Sequence, residues 1–336
     1  NGFDMEHLDG LSQLTAITGS LYIVGHLSLD DISGLQNIHA IGATLVIDGN
    51  VLLTSLAGLG GITSLGGDLQ VLSNSAAFVS LSGLNPLLTS IGGSIWIAGN
   101  SGLANLSGLE NINTIGGDLI VGGNGLTSLN GLSPNLTTLP GRLFVGFTGP
   151  GLTTLNGLHH ISSIGRGLII NTCPGLTSLA GLGGITSIGS ELVIYYNFGL
   201  TSLSGLNPLL ISIPEYIHIH SNPVLANLNG LGNVRTIGGD FEILDNTGLM
   251  SLSGLSPLLS TISGKLEITT NPGLTSLAGL ENIMTVGGDL RIYYNPGLLS
   301  LNGLNNLTTI GGELVFVGNS ALINLDGLDN LASVNQ

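Results

Sequence analysis

The stretch Ile188-Gly189-Ser190-Glu191-Leu192-Val193-Ile194-Tyr195-Tyr196-Asn197-Phe198-Gly199-Leu200-Thr201-Ser202-Leu203-Ser204-Gly205-Leu206 decides the fold. Alternation at period two from Glu191 to Tyr195 predicts a strand, with Leu192 and Ile194 inward and Glu191, Val193 and Tyr195 outward. Asn197 follows. Leu200, Leu203 and Leu206 then come at spacings of three, Gly205 stands before the last, and Ile211 and Ile213 lead into another copy.

The copies run the length of the chain. Fourteen Gly-Leu pairs keep the phase, at Gly10, Gly34, Gly58, Gly83, Gly108, Gly131, Gly157, Gly181, Gly205, Gly230, Gly254, Gly279, Gly303 and Gly327, at intervals of 23 to 26 residues. A fixed period of this size marks a solenoid whose turns stack and bury a continuous core. Pairs such as Leu21/Ile23, Leu69/Val71, Leu119/Val121, Phe241/Ile243 and Leu314/Phe316 supply the inward strand positions. The strands are expected to stack in parallel, about 4.8 Å apart.

An asparagine column follows the strands: Asn50, Asn74, Asn100, Asn124, Asn197, Asn222, Asn246, Asn271, Asn295 and Asn319. A buried amide can satisfy backbone groups of a tight corner in adjacent turns, so the column is expected to be a structural ladder. His26, Thr148 and Cys173 occupy the same column; Cys173, the lone cysteine, reads as a buried packing thiol. Gly-Gly pairs such as Gly66-Gly67 and Gly92-Gly93 precede the strand and read as a corner needing positive φ. Nothing places a phosphate-binding glycine loop between a strand and a helix.

The unit Leu-x-Ile-x-x-Asn-x-x-Leu, with further leucines at spacing three, resembles the leucine-rich repeat. The fuller pattern LTSLSGLxxLxxIGGxLxIxxN is similar to the receptor L-domain variant of that fold. The resemblance implies a right-handed, β-rich, L-domain-like parallel β-helix of about 14 turns of 24–25 residues, usually extracellular and non-catalytic. Residues 1–336 are expected to form one continuous repeat solenoid without evident caps. The chain starts on Asn1 and stops at Val334-Asn335-Gln336, a few residues into a further turn, so a fragment, or ends covered by other chains, is expected. The receptor versions carry cysteines that this chain lacks, so their ligand-binding residues do not transfer.

Composition removes several functions. The net charge is −15, and five basic residues (Arg142, Arg166, Arg235, Lys265, Arg291) cannot build a phosphate track, which excludes nucleic acid and argues against anionic membranes. No apolar run approaches the roughly 18–20 residues of a spanning helix, so no direct membrane insertion is expected. No signal peptide is visible, leaving a mature, trimmed or cytosolic chain. Low charge with abundant Gly, Ser, Thr and Asn fits an extracellular or cell-surface protein. Asn105, Asn135 and Asn306 stand in glycosylation sequons.

The outward position at mid-strand is where function is expected. From Trp96 through Ile120, Phe144 and Ile169 to Val193, five consecutive turns present bulky apolar groups. A contiguous apolar stripe usually marks an interface, and Tyr195 and Tyr293 join the candidates. His218, His220 and Glu242 could form a two-histidine, one-carboxylate metal site, but no further ligand is evident and plain surface residues are the simpler account. His159-His160 at a turn is a weaker candidate still. The acids Asp68, Asp118, Glu191, Asp240, Asp289 and Glu313 read as a solubilising edge, without the clustered loop of a calcium site.

No nucleophile-base or paired-carboxylate arrangement is evident, so no enzyme, metal or cofactor is expected. The expected function is a non-catalytic interaction or structural module that binds protein, as self or another chain, and assembles into a larger surface structure or fibre. Carbohydrate is a further candidate partner. Ice binding is the alternative, on Ser/Thr columns such as Ser90, Thr114, Thr138 and Ser55, Ser80, Ser128, although local turn bonding explains those hydroxyls more simply.

Overall fold

The computed structural model describes residues 4–335, so Asn1 and Gln336 lie outside the described residues. The chain groups into two compact units, Asn1–Gly165 and Arg166–Gln336. Both are parallel β-solenoid, and the described residues include thirteen four-residue strands, one to a turn. Among the described residues the only helices are two 3₁₀ turns, Asp9–Leu11 and Ser33–Leu35.

In the first unit the long strands are Leu21–Val24, Leu45–Asp48, Leu69–Leu72, Ile95–Ala98, Leu119–Gly122 and Leu143–Gly146. Each pairs in parallel with the next and without slippage, so Leu69 faces Ile95, Ile95 faces Leu119 and Leu119 faces Leu143. In the second unit they run from Leu168–Asn171 through Leu192–Tyr195, Ile217–His220, Phe241–Leu244, Leu266–Thr269 and Leu290–Tyr293 to Leu314–Val317. Two-residue strands such as Ser90–Ile91 and Thr114–Ile115 stack at the corner before the long ones. The inward strand residues and the spaced leucines are buried, Leu192, Ile194, Leu200 and Leu203 completely. Each such side chain contributes about 1.5–3 kcal/mol on burial.

The asparagine column is a chain of hydrogen bonds through the core. Asn74 Nδ2 donates to Ile47 O (3.1 Å), and Asn74 Oδ1 accepts from Asn50 N (3.0 Å). The pattern recurs at Asn222, whose Nδ2 donates to Ile194 O (3.0 Å) and whose Oδ1 accepts from Asn197 N (3.1 Å). One amide thus satisfies two backbone groups of the preceding turn, a carbonyl and an N–H. Cys173 is buried in this column with its N donating to Asn197 Oδ1 (3.0 Å). Thr148 is also buried there, and its hydroxyl has no hydrogen-bond partner.

Two local expectations need correction. The Gly-Gly pairs that precede the strands, such as Gly66-Gly67 and Gly92-Gly93, do not have positive φ; from Gly58 onward the glycine of the phase-keeping Gly-Leu pair does, as at Gly205 (φ 114°). The Gly-Gly corner needs glycine because turns approach too closely for a side chain: a Cβ on Gly66 would collide with the Gly42 carbonyl oxygen. The acids before the strand are more than a solubilising edge. Asp68 Oδ1 accepts from Ser94 N (2.7 Å), and Asp240 Oδ1 from Lys265 N (2.8 Å), so they tie one turn to the next. Glu191 is buried, not outward, and its carboxyl lies over Gly167, where the missing Cβ leaves room.

Candidate functional site

A depression lies on the outward strand face in each unit. In the first unit Trp96, Ile120 and Phe144 stand in register on adjacent strands. Two strand spacings put Trp96 about 10 Å from Phe144. Two residues further along the same strands, Ala98, Gly122 and Gly146 are small, so no side chains fill the surface there. The result is a trough of about 490 Å³ whose lining includes Trp96, Ile120, Phe144, Phe147, Gly122 and Arg142. Trp96 remains 41% exposed and Phe147 58%.

Phe147 is a wall that strand alternation does not predict. It stands after the strand with φ 51°, and its ring centroid is 6.1 Å from that of Phe144. The same backbone position is left-handed in thirteen turns; glycine fills it at Gly25, Gly49, Gly99, Gly123 and Gly318, and other residues in the remaining eight. The left-handed conformation costs a non-glycine residue about 1–2 kcal/mol. Tyr196 and Tyr294 carry the same cost.

In the second unit Ile169, Val193 and His218 share register on adjacent strands. They line a basin of about 300 Å³ with Tyr195, Tyr216, His220 and Glu242. The rings of Tyr216 and His218 are 4.2 Å apart between centroids, those of Tyr195 and Tyr196 5.4 Å, and those of Tyr196 and His220 also 5.4 Å. His218 Nε2 lies 3.1 Å from Glu242 Oε2, while His220 Nε2 lies 2.8 Å from Asp245 Oδ2. The two histidines therefore turn to different carboxylates. Among the described residues no three His, Cys, Asp or Glu converge as a metal would need. Burial holds the pKa of His218 below its usual value; Glu242 opposes that shift and Lys265 adds to it. His218 is accordingly neutral at pH 7. Lys265 Nζ bridges Glu242 Oε1 (2.5 Å) and Glu267 Oε2 (3.0 Å).

Other candidates stand apart from these depressions. Tyr293 lies four strands beyond Tyr195, about 19 Å along the face, and packs near Tyr294 with centroids 6.5 Å apart. The rings of His159 and His160 lie 3.7 Å apart between centroids, tilted by 46°. Asn135 and Asn306 are exposed and Asn105 is half-buried; Asn306 Nδ2 donates to Glu281 O (2.7 Å), and Asn105 Oδ1 accepts from Ser107 N (2.9 Å). Hydroxyls of these columns bond both between turns and within one. Thr114 Oγ1 donates to Ser90 Oγ (2.9 Å), and Ser80 Oγ accepts from Ser82 N (3.0 Å). Phe147 escaped the sequence reading because it lies beyond the alternating positions, and Tyr216 because it stands in the pre-strand position that Glu191 and the other acids hold. The signal that could have found them is an aromatic residue immediately flanking a strand.

The fold is a parallel β-solenoid that displays an open strand face. The Receptor L domain family model matches residues 260–334. That match and the parallel solenoid together fit a receptor L-domain-like repeat solenoid, a class of ligand-binding modules without enzymatic chemistry. No curated protein and no solved structure matches the chain significantly. Among the described residues no helix is long and apolar enough to cross a membrane.

Proposed function

We propose that the chain is a non-catalytic extracellular or cell-surface interaction module that binds a protein through its outward strand face. The observation that carries this reading is the trough between Trp96, Phe144 and Phe147: three aromatic side chains stand partly in water around a floor of small residues. Large rings around a pocket are the usual anchors of a protein interface. A net charge of −15 sets two copies against each other, which favours a different chain as partner. Low charge, few lysines and the resemblance to receptor L domains support an extracellular setting.

The test is a displayed protein library panned against the wild-type chain and against the double variant Trp96→Ser/Phe144→Glu. Both changes point outward, so circular dichroism and the thermal midpoint should hold. Wild type is expected to enrich binders that the double variant loses. Equal enrichment on the two proteins, with both folded, would make the trough ordinary surface.

A further inference from the structure

We propose that the basin walled by Tyr195, Tyr216, His218, His220 and Glu242 is a binding site for an organic ammonium cation. It lies in the second unit and shares no residue with the trough, so either site can fail alone.

Charge selects the ligand class. Glu242 and Asp240 both act electrostatically on His218, and Asp245 holds His220. The one cation among them, Lys265, is shared between Glu242 and Glu267. Carboxylates therefore outnumber ammonium groups, and His218 adds no charge at pH 7. Phosphate or carboxylate ligands meet repulsion here, while cations are drawn in. Lys265 shows the preference of this surface, since its ammonium already lies 2.5 Å from Glu242 Oε1.

The rings select the kind of cation. A metal ion needs converging lone pairs, and His218 and His220 turn apart. An alkylated ammonium needs the opposite: aromatic faces, apolar floor and a nearby negative charge. Tyr195, Tyr216 and the two imidazoles supply the rings, Ile169 and Val193 the floor, and Glu242 the charge. A basin of about 300 Å³ holds a head group of choline size.

The experiment titrates the full chain with choline, with its uncharged isostere 3,3-dimethylbutan-1-ol, with acetyl-trimethyl-lysine amide and with sodium phosphate, read by calorimetry. Saturable binding of choline or the trimethyl-lysine probe is expected, and the tighter of the two identifies a free head group or a protein side chain as the source. The isostere should bind at least tenfold more weakly, and phosphate not at all. Tyr216→Leu should cost at least fivefold in cation affinity with an unchanged dichroism spectrum, while Tyr216→Phe stays within about twofold of wild type. If Tyr216→Leu does not fold, Tyr195→Leu carries the same comparison. Equal binding of the isostere, saturable phosphate binding, no cation binding, or a folded leucine variant with full affinity would each overturn the assignment.

Discussion

Thr148 sits where the preceding turn places Asn124, and its buried hydroxyl has no hydrogen-bond partner. Two turns earlier, Asn100 donates its backbone N–H to Asn124 Oδ1 (2.9 Å), and Asn124 Nδ2 donates to Ile97 O (2.9 Å). An amide at Thr148 would offer the same acceptor to Asn124 and the same donor to Val121. Thr148→Asn is therefore expected to stabilise the protein by about 0.5–1.5 kcal/mol, measured as a higher urea midpoint at unchanged slope. A lower midpoint would mean that the threonine methyl packs better than an amide bonds there. The left-handed position beside this column teaches a different lesson about single residues. Its occupants include Ser73, Thr172, Asp245, Tyr294 and Gly99, which share no chemistry. A backbone conformation common to every turn leaves no mark in the sequence when side chains of any kind fill it.

At the scale of the strand, the second unit pairs like charges directly. Glu242 faces Glu267 across adjacent strands, an arrangement that is destabilising by itself. Lys265 bridges the two carboxylates, and His218 packs against the first of them. Burial lowers the pKa of His218 in the folded state. The unfolded chain therefore takes up this proton first as the solution is acidified. The stability linked to His218 is fully present above its ordinary value of about 6.5 and is lost as pH falls through the lower folded value. His218→Gln should flatten that part of the acid limb in a series of thermal midpoints from pH 7 downwards. An unchanged pH profile would show that the imidazole protonates as readily in place as in water. Alternation along Leu192–Tyr195 or Ile217–His220 is enough to read which side chains face out. It does not reveal that Lys265, one residue before its strand, is what lets two glutamates face each other.

Within each unit, a turn is bonded to its immediate neighbours, so energy should be additive by turn. Asn50 and Asn74 share a bond, since Asn50 N donates to Asn74 Oδ1, whereas Asn50 and Asn124 share none. Asn50→Leu and Asn74→Leu should couple by about 0.5–3 kcal/mol, while Asn50→Leu and Asn124→Leu should add to within about 0.5 kcal/mol. Chemical denaturation of the single and double variants gives both numbers, and strong coupling in the distant pair would refute nearest-neighbour energetics. The architecture was the most legible level because its evidence is repeated: every inward pair, amide and Gly-Leu step votes again in the next turn. The glycines were half-legible. Gly66-Gly67 and Gly205 look alike as letters, yet the first serves close approach and the second a left-handed turn. Trp96, Ile120 and Phe144 could be aligned from alternation alone, but the hollow beside them depends on Ala98, Gly122 and Gly146 being small together.

The collision that forbids any side chain at Gly66 has a consequence for heredity. Almost every replacing base change at the first two positions of a glycine codon installs a β-carbon, so at such corners drift has nearly nowhere to go. The outward mid-strand site is under no such veto, and it holds Gln70, Trp96, Ile120, Phe144, His218, Glu242 and Arg291 on one invariant frame. Such a chain can be rewritten one letter per turn, thirteen letters long, while the frame that displays them stays the same.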